Sequence, residues 1–243
     1  MDTPVQKIKL LGKVFIQGEI EVVTGLHIGG SKSDLDIGGV DLAVIKTADK
    51  RRVPMIPGSS LKGKLRTMLA REEGSLEVRR DSDTIKDIFG HGAEGKKKKE
   101  GDTGDKDRLP TRLIVRDARL DIANFDSQFD RDDLDTRFTM VKWENTINRK
   151  TGTAQHPRQI ERVPSGARFP FSMVYNVFDD GKKDLHLNAI KRAMQLLEDD
   201  YLGGHGTRGY GQVRFTNVVA KERMKADYES GSPAKEMATP FWS

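Results

Sequence analysis

The chain has 243 residues, enough for one large domain or two small ones with a substantial core. Its net charge of +5 and its pI near 9.3 are compatible with a nucleic-acid partner without requiring one. The absence of cysteine excludes disulfides, thiolate catalysis and the usual structural zinc sites, and it fits a cytoplasmic protein. No apolar run approaches the roughly 18 residues of a membrane span, so we expect no membrane partner.

The first part of the chain predicts a strand, a loop and a helix. In KVFIQGEIEVV (13–23), apolar and polar residues alternate as in a half-buried strand. A loop rich in Gly, Ser and Asp follows at 25–39. In SSLKGKLRTMLAREEG (59–74), apolar residues recur at three- and four-residue steps, which predicts a helix with Ser59 or Ser60 as its N-cap.

The remaining elements complete a recognisable order. The stretches 112–120, 167–178 and 212–220 are typical of strands, and 184–202 has the apolar spacing of a helix. The resulting order, β-α-β-β-α-β, is the split βαβ pattern of ferredoxin-like and RRM-type folds. The sequence therefore predicts an α+β fold with an antiparallel sheet and both helices on one face.

We interpret residues 1–222 as a single RRM-like domain with insertions near 72–108 and 121–166. The first insertion contains the charged, low-complexity run HGAEGKKKKEGDTGDKDR. The second is polar and includes KWENTINRKTG, which is typical of a hairpin with its turn in the last few residues. Residues 223–243 have little pattern, and we expect a loosely ordered tail.

The stretch GGHGTRGYGQV (203–213) contains the spacing G-x-G-x-x-G of dinucleotide-binding folds. That spacing binds phosphate only where it follows a strand and opens a helix. Here the predicted order is helix, glycines, strand, which argues against a dinucleotide site. A Gly-rich segment also lets another backbone approach closely, and Arg208 suits a phosphodiester partner. A plain turn between helix and strand is the alternative.

Two groups of cations are candidates for RNA contacts. Lys62, Lys64 and Arg66 lie in the first two turns of the first predicted helix, where free N–H groups attract anions and added cations oppose the helix dipole. This favours phosphate binding over a solvated basic face. The second insertion forms either an extended basic arm or a solvated hairpin, and its cations are Arg149, Lys150, His156, Arg158 and Arg162.

Acidic residues in the loop after the first strand are candidates for metal binding. Asp34, Asp36 and Asp41 could coordinate Mg²⁺ beside a scissile phosphate. An equally good interpretation is that they are ordinary turn formers. His27 precedes this loop, and its alternative role is that of a core or edge histidine.

Five ordered motifs span most of the chain: GLHIGG (25–30), IPGSSLKGKLR (56–66), LPTRLIVRDARL (109–120), WENTINRKTGTAQHPRQIERVPSGARF (143–169) and DDYLGGHGTRGYGQV (199–213). Together they resemble the RAMP proteins of CRISPR systems. More narrowly, the chain resembles the Cas-seven group backbone subunit of type III (Csm-type) effector complexes.

The resemblance implies a hand-shaped subunit with an RRM-like palm and a thumb hairpin within residues 121–166. The thumb would wedge between guide and target RNA. The implied partners are a CRISPR RNA, a target RNA, further copies of the chain in a head-to-tail filament and other type III effector subunits. The residues that we expect to bind RNA, the first five by resemblance, are His27, Ser60, Lys62, Lys64, Arg66, Arg149, Arg158, Arg162 and Arg208.

The resemblance also implies cleavage of target RNA at regular intervals with Mg²⁺ or another divalent cation. In well-known members the cleaving Asp directly follows a Gly-x-Ser triplet, a position that Lys32 occupies here. We therefore predict Asp34 as the catalytic and metal-binding residue, with Asp36 as the second candidate. Two alternatives stay open: a purely structural guide-binding subunit, and a metal-independent guide-processing endoribonuclease that uses His, Lys or Tyr as acid and base.

Overall fold

A computed structural model describes residues 8–30, 40–91 and 109–242 of the chain. Its strands are β1 (Leu10–Val22), β2 (Met55–Ile56), β3 (Leu113–Val115), β4 (Ala118–Arg119), β5 (Met140–Ile147), β6 (Ala154–Arg162), β7 (Arg168–Phe178), β8 (Val213–Met224) and β9 (Lys235–Glu236). Its α-helices are α1 (Gly58–Glu72), α2 (Asp83–Phe89), α3 (Ile122–Gln128), α4 (Lys183–Glu198) and α5 (Lys225–Glu229). The long elements follow the predicted order, and the short ones lie between or after them.

The main sheet has the predicted antiparallel arrangement. Its strand order is β3-β7-β1-β8-β9, and β1 pairs antiparallel with both β7 and β8. Without the short outer strand β9, this is the order of a ferredoxin-like split βαβ sheet. The predicted α+β class with an antiparallel sheet is confirmed. Two smaller sheets pair β2 with β4 and β5 with β6.

One face of the main sheet is buried under helices. Its buried side chains, each at most 4% exposed, are Val14, Ile16, Ile20, Val22, Phe169, Phe171, Met173, Tyr175 and Val177. They join the apolar faces of α1, α2 and α4 in one cluster. Burial of each large apolar side chain contributes about 1.5–3 kcal/mol, so this cluster is the main source of stability. The five-stranded sheet with α1, α2 and α4 constitutes the palm.

A bulge interrupts the last long strand. Val213 and Phe215 of β8 are buried, but Val219 is 47% exposed and Ala220 is buried instead. Asn217 has a φ of 54°, and the register with β1 shifts between Gln17 and Glu19. The extra residue in β8 therefore exchanges the inner and outer sides of the strand.

The predicted strand over 112–120 is wrong in part, because the chain forms two short strands there. β3 pairs with β7 of the main sheet, whereas β4 pairs with β2. Between them, Asp117 leaves the sheet and its Oδ1 accepts the N–H of Gly58 at 2.7 Å. The predicted N-cap at Ser59 or Ser60 is therefore also wrong. The residue before α1 is Pro57, and the capping carboxylate comes from Asp117.

The tail is ordered, contrary to the prediction. β8 continues to Met224, α5 follows, and β9 pairs with Lys221 and Glu222 of β8. Phe241 is 8% exposed and belongs to the core cluster. The adjacent Trp242 contacts Phe215, with ring centroids 6.0 Å apart.

The predicted hairpin in the second insertion is confirmed. β5 and β6 pair from Met140 and Arg162 outward, and their turn is closed by the N–H of Asn148, which donates to the Thr153 oxygen at 2.9 Å. Residues 140–162 are called the hairpin below. Within the described ranges, no helix is long and apolar enough to cross a membrane.

Candidate nucleic-acid interface

One buried carboxylate joins the base of the hairpin to a neighbouring segment. Glu161 is 2% exposed. Its Oε2 accepts the N–H of Val44 at 2.8 Å, and its Oε1 accepts Lys46 Nζ and the Thr139 hydroxyl, both at 2.5 Å. A buried carboxylate requires such partners, because an unpaired charge in the interior is costly. Glu161 therefore holds the hairpin base against residues 44–46.

His27 lies against the same point. Its side chain is 5% exposed, and its Nδ1 lies 2.7 Å from the backbone oxygen of Glu161. Because a carbonyl oxygen only accepts, Nδ1 carries the proton and Nε2 remains an acceptor in the neutral ring. Burial lowers the pKa of His27 from its ordinary value, so the neutral form is favoured. The packing is that of a satisfied buried histidine, and its contact with guide RNA stays a prediction.

The glycine loop, residues 203–211, packs on the segment that carries His27. Gly203 has a φ of +81°, and a Cβ there would lie 2.2 Å from the His27 backbone oxygen. Gly211 has a φ of +75°, and a Cβ there would lie 2.1 Å from the Leu202 oxygen. At these two positions, the backbone that lies close to the glycine therefore belongs to this chain and not to a bound partner. The loop follows α4 and leads into β8, which is the order that argues against a dinucleotide site.

Arg208 connects the glycine loop to the hairpin. Its Nη1 donates to Glu144 Oε2 at 2.9 Å. Lys142 Nζ lies 4.6 Å from the centroid of the Tyr210 ring, and the Arg162 guanidinium lies 5.7 Å from it. Burial and the nearby Glu144 carboxylate raise the pKa of Tyr210 to about 12. The structure thus brings two predicted RNA-binding residues, Arg162 and Arg208, to one side of the hairpin base.

Other hairpin cations remain open to solvent. Arg149 and Arg158 are exposed, and neither forms an ion pair with any residue that the structure describes. Arg158 and Arg208 line one open cleft of about 360 Å³ between the hairpin and the glycine loop, and its lining residues are Glu144, Asn145, Thr146, Arg158 and Arg208. Of the two predicted forms of this insertion, the structure shows a solvated hairpin with a basic surface.

Two of the three candidate RNA-binding cations on α1 form ion pairs within the chain. Lys64 Nζ lies 2.9 Å from Asp200 Oδ2 and 3.8 Å from the centroid of the Tyr201 ring. Arg66 Nη2 lies 2.7 Å from Oδ2 of Asp81, which is 3% exposed. These contacts compete with any phosphate for the same side chains. The prediction that Lys64 and Arg66 bind guide RNA is not tested by this geometry.

The start of α1 is already satisfied by the carboxylate of Asp117. This group accepts the Gly58 N–H and complements the helix dipole, so cations on the first turns need no external anion. Lys62 Nζ donates to the Leu113 backbone oxygen at 2.8 Å, and burial lowers the pKa of Lys62. Ser60 is half-buried on the same turn. The structure therefore does not gather the α1 residues into one anion site.

Asp34 and Asp36 lie outside the described residues. The backbone on either side of their loop is described, and its two ends meet: the Gly30 N–H donates to the Ala43 oxygen at 3.0 Å. Leu42 then pairs with β6, so the loop starts and ends beside the hairpin base. No group of three His, Asp or Glu side chains in the described part of the chain could hold a metal. The metal-binding role of Asp34 stays a prediction.

A second buried charged cluster lies between α2, β7 and α4. Arg112 is fully buried and binds both carboxylate oxygens of Asp180, while Asp87 Oδ2 lies 3.7 Å away. His186 is also fully buried, and its Nδ1 lies 2.8 Å from the Tyr175 hydroxyl. Burial, with the charge of Arg112, lowers the pKa of His186 to about 4. This cluster fastens α2 and α4 to the sheet.

Sequence reasoning missed Glu144, Glu161 and Tyr210, which organise the hairpin base. One signal was available: Glu144 and Glu161 are the only carboxylates in a hairpin that carries five lysines and arginines. A lone acid among cations is a natural ion-pair partner.

Comparison with known proteins identifies the class. The model of the RAMP superfamily matches residues 19–214, so the chain belongs to the RAMP superfamily. A protein of Methanocaldococcus jannaschii named CRISPR system Cms endoribonuclease Csm3 is 38% identical over 242 residues, covering 95% of this chain and 90% of that protein. The protein of the same name from Streptococcus thermophilus is 41% identical over 214 residues, covering 86% and 89%. Within the superfamily, the chain belongs to the Csm3 family.

Solved structures support the fold. A chain from the crystal structure of the Csm3-Csm4 subcomplex of the type III-A CRISPR-Cas interference complex covers 96% of this chain and 92% of its own length, with a TM-score of 0.56 and 29% identity. A chain from the type III-B Cmr-beta complex bound to cognate target RNA has a TM-score of 0.57 at 15% identity, which speaks for the fold alone.

Proposed function

We propose that this chain is an endoribonuclease that serves as the backbone subunit of a type III CRISPR interference complex. The family supports this function, since relatives that share 38–41% of their residues across nearly the whole chain carry the endoribonuclease name. One structural observation supports it further. The cations of the cleft, Arg158 and Arg208, lie near the end of the loop that carries the candidate acidic residues, because Arg158 precedes Gln159, whose backbone oxygen accepts the Leu42 N–H.

The chain binds the guide, a CRISPR RNA, across the palm. His27, Ser60, Lys62, Lys64 and Arg66 contact its backbone, and Lys64 and Arg66 exchange their carboxylate partners for phosphate when they do so. In a filter-binding titration, changing Lys62, Lys64 and Arg66 to Ala should weaken binding for every sequence. It should also flatten the salt dependence by about 0.7 units of slope for each lost contact with single-stranded RNA. Unchanged affinity and slope would leave these side chains with a purely internal role.

The hairpin acts as the thumb between guide and target RNA. Its exposed Arg149 and Arg158, together with Arg162 and Arg208 at its base, supply the positive charge that such a position requires. Further copies of the chain stack head to tail along the guide, and other type III effector subunits close the assembly. Regular stacking would place one thumb, and one cut, at each repeat along the target.

Asp34 supports cleavage, and Asp36 is the second candidate. A carboxylate beside a phosphodiester is a poor nucleophile because the two negative charges repel each other. Asp34 is therefore expected to hold Mg²⁺ or another divalent cation, which would neutralise charge at the phosphate. The chain's own cations, Arg158 and Arg208, can hold the RNA backbone in place while the 2′-hydroxyl attacks the adjacent phosphorus. The bond from phosphorus to the 5′-oxygen then breaks, the proton of the 2′-hydroxyl passes through solvent to that oxygen, and the products carry a 2′,3′-cyclic phosphate and a 5′-hydroxyl.

The test uses assembled complexes and complementary RNA with Mg²⁺ or with excess EDTA. Cleavage should require the divalent cation, and Asp34→Ala should abolish it while guide and target binding remain nearly unchanged. Asp36→Ala is the matched control. Lys32 occupies the position at which the family has its cleaving Asp, so both Asp34 and Asp36 are candidates for that role. Cleavage in EDTA would favour a metal-independent endoribonuclease. Binding without any cleavage by the wild-type complex would favour a purely structural subunit.

A further inference from the structure

An aromatic side chain on the hairpin is left uncovered. Trp143 in β5 is 59% exposed, although indole is one of the most favourable groups to bury. Single exposed apolar residues are common on protein surfaces, so exposure alone assigns no role. The surroundings of Trp143 supply the further observations.

Trp143 lies in the paired part of the hairpin, whose second strand is hydrogen-bonded to a neighbouring segment. Trp143 is paired with Gln159 across the two strands. The Gln159 N–H donates to Asp41 Oδ2 at 2.8 Å, and its oxygen accepts the N–H of Leu42 at 3.2 Å. Trp143 is therefore held opposite the segment into which the loop with Asp34 and Asp36 returns.

The charge around this position fits a nucleic acid. The hairpin carries five lysines and arginines against two carboxylates. Glu161 is paired with Lys46, and Glu144 is paired with Arg208 and with Lys142 of the hairpin itself, which leaves Arg149, Lys150, Arg158 and Arg162 in excess. A flat aromatic surface on a basic arm offers phosphate contacts and a stacking surface together, which is how proteins bind single-stranded nucleic acid without sequence preference.

We propose that Trp143 stacks on an unpaired nucleobase of the bound RNA. The inference rests on the proposed function, since it assigns a residue to the same RNA-binding surface. Every base has a π face, so the contact is independent of sequence. It orders the RNA strand on the hairpin, while the exposed cations of the turn, Arg149 and Lys150, contact its phosphates.

The experiment compares RNA with an RNA backbone that lacks bases. The full-length chain is titrated with a 12-nucleotide poly(U) strand and with an abasic ribose-phosphate strand of the same length and charge. Trp143→Ala should weaken binding to poly(U) by about five- to a hundredfold and leave binding to the abasic strand unchanged. Trp143→Phe should retain most of the affinity. Ile147→Ala, which changes a 58% exposed residue of the same strand, is the matched control and should have little effect.

Fluorescence provides a second readout that does not depend on a loss of binding. The chain has two tryptophans, and Trp242→Phe leaves Trp143 as the only indole. Poly(U) should quench its emission, whereas the abasic strand should not.

The outcomes separate the two proposals. Equal losses on both strands, or an unquenched indole in a chain that binds poly(U), would overturn the stacking role alone. Emission that changes with protein concentration in the absence of RNA would assign Trp143 to a contact between copies of the chain. A wild-type chain that binds neither strand would overturn the proposed RNA-binding function and the stacking role together.

Discussion

The palm and the outer part of the hairpin use their arginines in opposite ways. In the palm, Arg112 binds Asp180, Arg66 binds Asp81 and Lys64 binds Asp200, and the first two pairs each contain a fully or nearly buried partner. On the hairpin, Arg149 and Arg158 extend into solvent with no ion pair among the residues that the structure describes.

Arginine and lysine therefore have two roles in this molecule, one in stabilising the fold and a proposed one in binding phosphate. A buried ion pair is costly to break, because the remaining charge loses its partner in a medium of low dielectric constant. An exposed cation contributes almost nothing to folding but can bind a phosphate. Substitutions of the buried ion-paired residues in the palm should therefore change the free energy of unfolding, and substitutions of the exposed hairpin arginines should change RNA affinity.

The largest expected effect belongs to a residue of the glycine loop, which connects α4 to β8 of the palm. Gly211→Ala forces a Cβ to within 2.1 Å of the Leu202 oxygen at a positive φ, so we expect a loss of more than about 3 kcal/mol in the free energy of unfolding. Gly209→Ala is the matched control, because Gly209 has a φ of +83° with no atom near the added Cβ. It should cost about 1–2 kcal/mol, the strain of the left-handed backbone alone. Urea unfolding measures both, and equal losses would contradict the close approach.

Arg66→Ala should destabilise the palm by about 3 kcal/mol, because it leaves the buried Asp81 carboxylate without its cation. Arg158→Ala on the hairpin is the control, and its expected change is within about 0.5 kcal/mol. Thermal and urea unfolding measure the difference. If Arg66→Ala left stability unchanged, the ion pair would not be formed in solution and Arg66 would be free for RNA.

The palm should also lose stability in mild acid through His186. Its pKa is lowered from 6.5 to about 4 in the folded chain, so the unfolded chain takes up the proton first as the pH falls below about 6.5. The contribution of neutral His186 to the free energy of unfolding is fully present above pH 6.5 and is lost on the way to about pH 4. This loss of stability amounts to at most about 3 kcal/mol.

His186→Gln isolates this contribution from the carboxylates that titrate in the same range. The difference in unfolding free energy between wild type and variant should shrink between pH 6.5 and pH 4. A difference that stays constant over this interval would show that burial and the positive charge of Arg112 do not hold His186 neutral against the opposing carboxylates of Asp87 and Asp180.

Substitution of the exposed hairpin arginines should have the smallest effect on folding and a measurable effect on RNA binding. Changing both Arg149 and Arg158 to Ala should leave unfolding within about 0.5 kcal/mol of wild type. The same double change should reduce the salt slope of RNA binding by about 1.4, two contacts at roughly 0.7 each. A loss of stability with an unchanged salt slope would reverse the comparison between palm and hairpin.

Regular elements were predictable because their signals are local. The alternation of Phe169, Phe171, Met173, Tyr175 and Val177 identifies β7, and a turn in NRKTG identifies the hairpin. The failures have long-range causes. The stretch 112–120 contains enough β-branched residues for one strand, but Asp117 leaves the sheet to cap α1, which no local pattern reveals.

The candidate site was predictable in its residue types but not in its pairing. Lys62, Lys64 and Arg66 were predicted to bind phosphate, and that role stays a prediction. The spacing did not reveal that Arg66 pairs with Asp81, 15 positions away, or that Lys64 pairs with Asp200, 136 positions away. The tail prediction failed for the same reason, since β9 is only two residues long and its order depends on the edge of β8. Spacing reports periodicity within an element, whereas ion pairs and caps depend on which elements become neighbours.

The cap of α1 also bears on the order in which the molecule folds. The Gly58 N–H and the Asp117 carboxylate are separated by 59 positions, so the first turn of α1 gains its cap only after that stretch of chain has closed into a loop. Contacts between residues that are distant in the sequence form slowly, because the chain between them loses conformational entropy when the loop closes. The C-terminal turns of α1 can therefore form early on local signals. The N-terminal turn, with the half-buried Ser60 and Lys62, is completed late, when the strand segment around Asp117 docks.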